Sequence, residues 1–113
     1  MAKVQIANSL AKEIKKKFKG ESHKIVNLLR TLEKNPRKEK PLGNIVGFTI
    51  KELKYKSFRF YFILYRSNIN ILSKEELIDL LIRFIRMSTK RDQQKTINEI
   101  KKILIKLGPK GFE

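Results

Sequence analysis

The sequence predicts an α+β fold, in which an N-terminal helical hairpin and a C-terminal helix pack on a small antiparallel sheet. Apolar residues recur at three- and four-residue steps before residue 36 and after residue 92, which is typical of amphipathic helices. Between these segments, aromatic and β-branched residues alternate with polar ones, which is typical of strands. Strands grouped between helices favour two packed layers, with the helices covering one face of the sheet.

The length and composition favour a single domain over residues 1–113. A chain of 113 residues fits one domain and can bury a core of its own. Its 41% of hydrophobic residues argues against disorder, although 34% of the residues are charged. We expect the helical hairpin in residues 1–35, the loop and sheet in 36–91, and the C-terminal helix in 92–107.

The two N-terminal helices are predicted from their apolar stripes. The stripe of the first helix consists of Ala7, Leu10, Ala11, Ile14 and Phe18. The stripe of the second consists of Ile25, Leu28, Leu29 and Leu32. Gly20 stands where a left-handed helix cap is favoured, and Ser22 is a suitable N-cap for the second helix. Pro36 ends this helix, because proline disfavours helical geometry in the residue before it.

The first strand follows a loop. Residues 36–47 are predicted to be irregular because they contain Pro36, Pro41, Gly43 and Gly47. Beyond them the apolar and polar residues alternate, but the alternation changes phase at Glu52. A single residue that interrupts the alternation in this way predicts a β-bulge in the strand.

Two further strands are predicted over residues 58–65 and 80–88. Residues 66–79 are interpreted as the turn region of a long hairpin between them. A short helix is the alternative there, because Ser73 and Glu76 match a capping box. The final helix has one apolar face, and Gly108-Pro109 ends it. That face consists of Ile97, Ile100, Ile103, Leu104 and Leu107.

Counting outward from the hairpin turn gives an expected register. Arg59 then faces about Lys90, Tyr61 faces about Ser88, and Phe62 faces about Met87. Strand alternation divides the side chains between the two faces of the sheet. The face on which the helices pack is expected to carry Phe58, Phe60, Phe62, Leu64, Ile85 and Met87. The opposite, open face is expected to hold Arg59, Tyr61, Arg86 and Lys90.

The charge balance points to a polyanionic partner. Lys and Arg number 27 against 11 Asp and Glu, which gives a formal net charge of +16. Such an excess does not favour folding, because like charges repel on a compact body. It suits nucleic acid first and an anionic membrane second. The apolar runs are far too short to span a bilayer, so the sequence predicts an intracellular, cytoplasmic protein with no membrane partner.

Several kinds of chemistry have no support in the sequence. There is no Cys and His23 is the one His, so we expect no metal site and no cofactor. A planar Arg such as Arg59 fits a phosphate, while Tyr55 or Tyr61 offers a surface on which an unpaired base can stack. This combination suits single-stranded RNA. Glu52 is the candidate base for cleavage without a metal, by taking the proton of a 2′-hydroxyl.

Three stretches of the chain resemble the RelE/ParE toxin superfamily, in its RelE-like or HigB-like branch. They are Leu32-Glu33-Lys34-Asn35-Pro36 at the end of the helical hairpin, Phe58-Arg59-Phe60-Tyr61-Phe62 in a strand, and the segment from Phe84 to Gln94 before the last helix. The resemblance covers nearly the whole chain in the order of its elements. Where many relatives carry a Tyr or His after the last strand, this chain has Thr96 and Ile97.

The resemblance implies the toxin of a type II toxin–antitoxin system. Such a toxin would cleave mRNA on the ribosome without a metal, inhibit translation and bind an acidic cognate antitoxin. The catalytic residues it implies are Arg59, Glu52 and Arg91. The residues that would bind RNA are Lys51, Lys54, Tyr55, Tyr61, Arg86 and Lys90. Two alternatives remain open: a non-catalytic RNA-binding module on the same fold, and a ParE-type inhibitor of DNA gyrase.

Overall fold

The computed structural model describes residues 2–35, 41–45, 47–66 and 80–112. These residues form five strands and three α-helices, which confirms the α+β class. The elements in chain order are β1 (Ala2–Ile6), α1 (Asn8–Phe18), α2 (Ser22–Arg30), β2 (Pro41–Ile45), β3 (Phe48–Tyr55), β4 (Phe58–Arg66), β5 (Leu80–Thr89) and α3 (Gln93–Leu107). Short 3₁₀ segments cover Lys19–Glu21, Thr31–Glu33, Lys90–Asp92 and Gly108–Phe112. The predicted turn or short helix at 67–79 lies outside the described residues.

The five strands form one sheet in the order β1-β5-β4-β3-β2. Strand β1 runs parallel to β5, with Ala2 opposite Leu80 and Ile6 opposite Phe84, and the remaining neighbours are antiparallel. The sheet is therefore mixed. A parallel neighbour needs a crossover connection, and the chain from β1 to β5 supplies it through both N-terminal helices and three strands.

The helices cover both faces of the sheet. On one face, the Phe18 ring of α1 packs edge-on against Phe58, with centroids 5.1 Å apart, and against Tyr55 at 6.2 Å. On the other face, the Gln93 amide of α3 bonds to Glu52. Glu52 and Tyr55 are three residues apart in a strand of regular register, so they point to opposite faces. The expected open face is therefore covered by α3, since this helix crosses the sheet and reaches Gly43 through Lys101.

The core lies on both sides of the central strands. Strand β4 is buried from Arg59 to Leu64 because it has a neighbour on each edge and a helical layer on each face. The rings of Phe62 and Phe84 contact each other across β4 and β5, with centroids 4.8 Å apart. The fully buried large side chains include Phe60, Tyr61, Phe62, Phe84, Phe112, Leu10, Ile14, Ile25, Leu29, Leu32, Ile50 and Ile63.

The prediction of a β-bulge at Glu52 is wrong. Strands β3 and β4 pair without interruption from Thr49 to Tyr55. The apparent change of phase arises because Lys51, a polar residue, occupies a buried position only 8% exposed on the same face as Leu53. The register shifts instead between β4 and β5, where Ile85 is the extra residue.

The expected register between β4 and β5 is displaced. Arg59 faces Ser88 rather than Lys90, Tyr61 faces Arg86, and Phe62 faces Phe84. A count outward from the hairpin turn cannot include the bulge at Ile85, which displaces the register, and the turn itself lies outside the described residues. The assignment of Arg59, Tyr61 and Arg86 to one face is confirmed by the observed pairing.

Three local expectations also need correction. The left-handed residue after α1 is Lys19, with φ 46°, and not Gly20. Ser22 is the first residue of α2 and makes no side-chain cap, since Glu21 is in the N-cap position. Within the segment expected to be loop, Pro41–Ile45 forms the edge strand β2; proline is compatible with an edge, where one side of the backbone is unpaired.

Candidate nucleic-acid interface

Five cations lie where the tight turn between β3 and β4 meets the start of α3. Lys54 stands directly opposite Arg59 across the strand pair. The backbone N–H of Lys90 donates to the carbonyl of Ser57 in the turn, at 3.2 Å, which fixes the junction of β5 and α3 against it. We name this group the hairpin-end cluster; it consists of Lys54, Lys56, Arg59, Lys90 and Arg91.

Arg59 holds the turn from inside. Its Nη1 donates to the carbonyls of Phe58, at 3.1 Å, and Lys56, at 3.5 Å. Lys56 has φ 53°, a left-handed conformation that costs energy for any residue with a Cβ, and the contact with Arg59 helps to keep it. Arg59 is only 8% exposed and its Nε has no hydrogen-bond partner. Within the described part of the chain, Arg59 forms no ion pair.

The other four cations of the hairpin-end cluster are exposed. The Lys56 ammonium lies over the Tyr55 ring at 5.4 Å, and the other three side chains extend from the end of β3 and from the 3₁₀ segment before α3. Lysine and arginine at an exposed edge present donors to a phosphate without first breaking internal contacts. The accessible part of this cluster is therefore Lys54, Lys56, Lys90 and Arg91.

Besides Asp92, which directly follows Arg91, Glu52 is an acidic group next to this cluster. It lies in β3 opposite Tyr61 and is partly buried. Its Oε2 accepts a hydrogen bond of 2.8 Å from Nε2 of Gln93, in the first turn of α3. This bond joins β3 to α3 and holds the carboxylate in one orientation.

Tyr61 is fully buried beneath α3. Its hydroxyl shares a hydrogen bond of 2.8 Å with Oγ of Ser88. Burial raises the pKa of Tyr61 above its usual value of 10.0, and the Glu52 charge raises it further, while the Ser88 bond and Arg59 act in the opposite direction. In this arrangement the ring is covered on both sides, so a nucleic-acid base cannot stack on it without displacing α3.

The structure does not bring four of the six expected RNA-binding residues to the hairpin-end cluster, and the buried Tyr61 is one of them. Lys51 is buried and faces the α1–α2 side of the sheet. Tyr55 faces that side too, half-buried against Phe18. Arg86 shares the α3 face, but its Nε bonds to Glu99 at 3.1 Å and its guanidinium lies over the Phe112 ring at 5.0 Å.

Two residues of the site were not assigned from the sequence. Lys56 belongs to the cluster because it forms the turn, and a two-residue connection between two strands was the available signal. Gln93 follows a basic run at the start of a helix, where an amide is usually exposed. Its bond to Glu52 depends on the face that α3 covers, which no local pattern determines.

Comparison with known proteins identifies no relative: no family model, curated protein or solved structure matches the chain. None of the helices in the described ranges is long and apolar enough to cross a membrane. Among the same residues, no three His, Cys, Asp or Glu side chains come together as a group that could hold a metal ion. What remains is an α+β protein with a cationic cluster at one end of its sheet.

Proposed function

We propose that this protein binds single-stranded RNA through the hairpin-end cluster. The observation that carries the proposal is the convergence of five cations from three separate segments of the chain: the end of β3, the turn into β4, and the junction of β5 and α3. Four of them are exposed. Arg59 adds positive potential from beneath, with no ion pair to offset it within the described residues.

The electrostatics favour a backbone contact over base stacking. Each neutralised phosphate of a single strand contributes roughly −0.7 to the slope of log affinity against log salt. If the four exposed cations each contact a phosphate, the slope is roughly −2.8. Tyr61 contributes no stacking surface, because it is buried. Affinity should therefore depend on salt far more than on aromatic side chains.

A pair of triple variants tests this proposal. Replacing Lys54, Lys90 and Arg91 with Ala should reduce the salt slope by about 2, since three phosphate contacts are lost. The matched control removes Lys24, Arg30 and Lys34, which are exposed on and after α2. The control and the test variant lower the net charge by the same amount. Fluorescence anisotropy with labelled oligouridine measures both slopes; an equal reduction in the two variants would refute a localised site.

We further propose that the chain acts in the cytoplasm as a RelE-like toxin, with an acidic antitoxin as its protein partner. The order of elements supports the resemblance, since a helical pair precedes antiparallel strands and a last strand leads through a basic segment into the terminal helix. A net charge of +16 favours association with an acidic protein. RNA on the ribosome is the proposed substrate.

Cleavage of RNA is the second candidate function, and Glu52 is the observation that favours it. A partly buried carboxylate, oriented by Gln93 and flanked by the hairpin-end cluster, suits a general base that takes the 2′-hydroxyl proton. The 2′-oxygen then bonds to the adjacent phosphorus, the bond from phosphorus to the 5′-oxygen breaks, and the leaving 5′-oxygen takes a proton from water. Arg91 and Arg59 would stabilise the charge that develops on the phosphate. Arg59 would act from below, because its Nη1 is already engaged by the turn.

The replacement of Glu52 with Gln tests cleavage without removing the bond to α3, because the Gln side-chain oxygen accepts the same bond from Gln93. Purified protein is added to translating ribosomes and the new mRNA ends are mapped. We expect fresh breaks in ribosome-bound mRNA with the natural sequence and none with the variant, while oligouridine affinity is retained or rises, because a negative charge beside the cluster is removed. Intact message with RNA binding would favour the non-catalytic module, and inhibition of DNA supercoiling would favour the gyrase inhibitor.

A further inference from the structure

A groove of about 550 Å³ runs along one side of α3 and includes no residue of the hairpin-end cluster. Its described lining residues all belong to α3, and they recur at three- and four-residue steps from Lys95 to Leu107. Residues at this spacing share one side of a helix, so the groove follows about three turns, or about 18 Å. This length fits a segment of secondary structure better than a compact small molecule. We name it the α3 groove.

The apolar wall of the α3 groove consists of Ile103 and Leu107, which are one turn apart. Leu107 is 65% exposed, although it is a large apolar side chain. Gly111 of the C-terminal 3₁₀ segment packs behind both residues, so closely that a Cβ at this glycine would collide with Ile103. The wall is therefore held in place before any partner binds, which lowers the entropic cost of binding.

Three lysines line the α3 groove beside this apolar wall: Lys95, Lys102 and Lys106. All three are exposed, and none forms an ion pair with another described residue. Glu99 also lines the groove, but its Oε1 accepts a bond of 3.1 Å from Nε of Arg86, so its charge is already matched. The groove therefore combines an apolar wall with unpaired positive charge.

This combination distinguishes between the partners that a cationic surface can hold. An RNA backbone would use the lysines and leave the exposed Leu107 against a charged chain. A flat anionic membrane cannot follow a concave groove, and a second copy of a chain with net charge +16 would be repelled. An acidic amphipathic helix suits both parts of the groove, because its apolar side chains and its carboxylates recur at three- and four-residue steps.

We propose that the α3 groove binds an acidic amphipathic helix of a partner protein. Apolar side chains of that helix pack on Ile103 and Leu107, and its carboxylates lie beside Lys102 and Lys106. Helices that bind in grooves use anchors spaced along several turns, which is the length available here. The inference deepens the proposed association with an acidic protein and rests on it, but it requires neither RNA binding nor cleavage.

Binding of a labelled acidic peptide is the direct test. The peptide has about 18 residues, with Leu at three- and four-residue steps and Glu on either side of them. A second peptide carries Ser in place of each Leu and keeps the same charge. We expect the leucine peptide to bind roughly tenfold more tightly by fluorescence anisotropy, because the apolar wall contributes in addition to charge.

Two apolar side chains of nearly equal exposure provide a matched pair of variants. Leu107 is 65% exposed and lines the α3 groove, whereas Ile105 is 64% exposed and does not. Leu107→Ser should weaken binding of the leucine peptide roughly tenfold, and Ile105→Ser should weaken it less than about twofold. Both positions are exposed, so circular dichroism should show an unchanged fold. Equal losses in the two variants would refute a role for the apolar wall.

Two pairs of lysines at the same helical spacing test the charge. Replacing Lys102 and Lys106 with Gln should weaken binding of the leucine peptide about fivefold. Replacing Lys12 and Lys16, which are exposed on α1, lowers the net charge by the same amount and should weaken binding less than about twofold. Equal losses in the two pairs would overturn the groove and leave association with acidic proteins through net charge alone.

Further measurements separate this inference from the proposed RNA binding. The amide signals of Ile103 and Leu107 should shift in NMR spectra when the leucine peptide is added, and unchanged signals would overturn the groove. Oligouridine affinity that falls with the α3 lysine pair and not with the α1 pair would assign the groove to RNA instead. Vesicles containing phosphatidylserine that bind the natural sequence and not Leu107→Ser would assign it to a membrane. Loss of RNA binding with intact peptide binding would overturn the RNA-binding proposal alone.

Discussion

Replacing Tyr61 with Phe removes one buried hydroxyl and leaves the ring in place. The hydroxyl bonds to Oγ of Ser88 at 2.8 Å, and Ser88 keeps a second bond to the carbonyl of Thr89. No group is left unsatisfied, so the loss should be that of one net hydrogen bond, about 1 kcal/mol. For a domain of this size that corresponds to a decrease of about 4 °C in melting temperature.

The same variant should alter the pH dependence of stability. Because burial raises the pKa of Tyr61 in the folded state above 10.0, the folded protein retains this proton more strongly than the unfolded chain. The resulting stabilisation is fully present below pH 10 and is lost as pH rises through the folded value. The natural sequence should therefore lose stability above pH 10 more steeply than the Tyr61→Phe variant.

Urea denaturation followed by circular dichroism, at pH 8 and at pH 10.5, measures both effects. The variant supplies its own control for lysine deprotonation, which affects the two proteins alike. Destabilisation of more than 3 kcal/mol at pH 8, or an identical loss for both proteins at high pH, would show that Tyr61 is not buried and bonded as described.

Two further changes test the packing and the backbone. Phe18→Ala removes the ring that contacts Tyr55 and Phe58 on the α1–α2 face, and should lower the free energy of unfolding by about 2–3 kcal/mol by urea titration, since the ring is only partly buried. Lys19→Gly should raise it by about 0.5–1 kcal/mol, because glycine adopts φ 46° without a clash; no gain in melting temperature would argue against a strained residue there.

The amphipathic segments were the most predictable part of the fold. Local periodicity identified α1, α2 and α3, because each buries a stripe that is visible in the sequence. Strand β1 was missed although Ala2, Val4 and Ile6 alternate with Lys3 and Gln5, because five residues are a short pattern and the pairing partner, β5, lies far away along the chain. A short parallel strand acquires its stability from that distant neighbour and not from its own residues.

The candidate site was predicted in part. Alternation grouped Arg59, Tyr61 and Arg86 on one face, and the structure agrees. It could not show that α3 covers this face, because a helix with one apolar stripe packs equally well on either side of a sheet. That choice buries Tyr61 and brings Gln93 to Glu52, and the cations of this face that stay exposed lie at the end of the sheet.

The parallel pairing of β1 with β5 determines when the sheet can be completed during synthesis of the chain. While the chain emerges from the ribosome, the first five paired residues have no partner until Leu80–Phe84 has followed. Contacts of such long sequence separation slow folding, because loop closure precedes any gain from pairing. The helical hairpin can form early, but the sheet surface on which it rests is assembled last. A polypeptide interrupted after β4 would therefore expose both a free strand and the apolar stripes of α1 and α2.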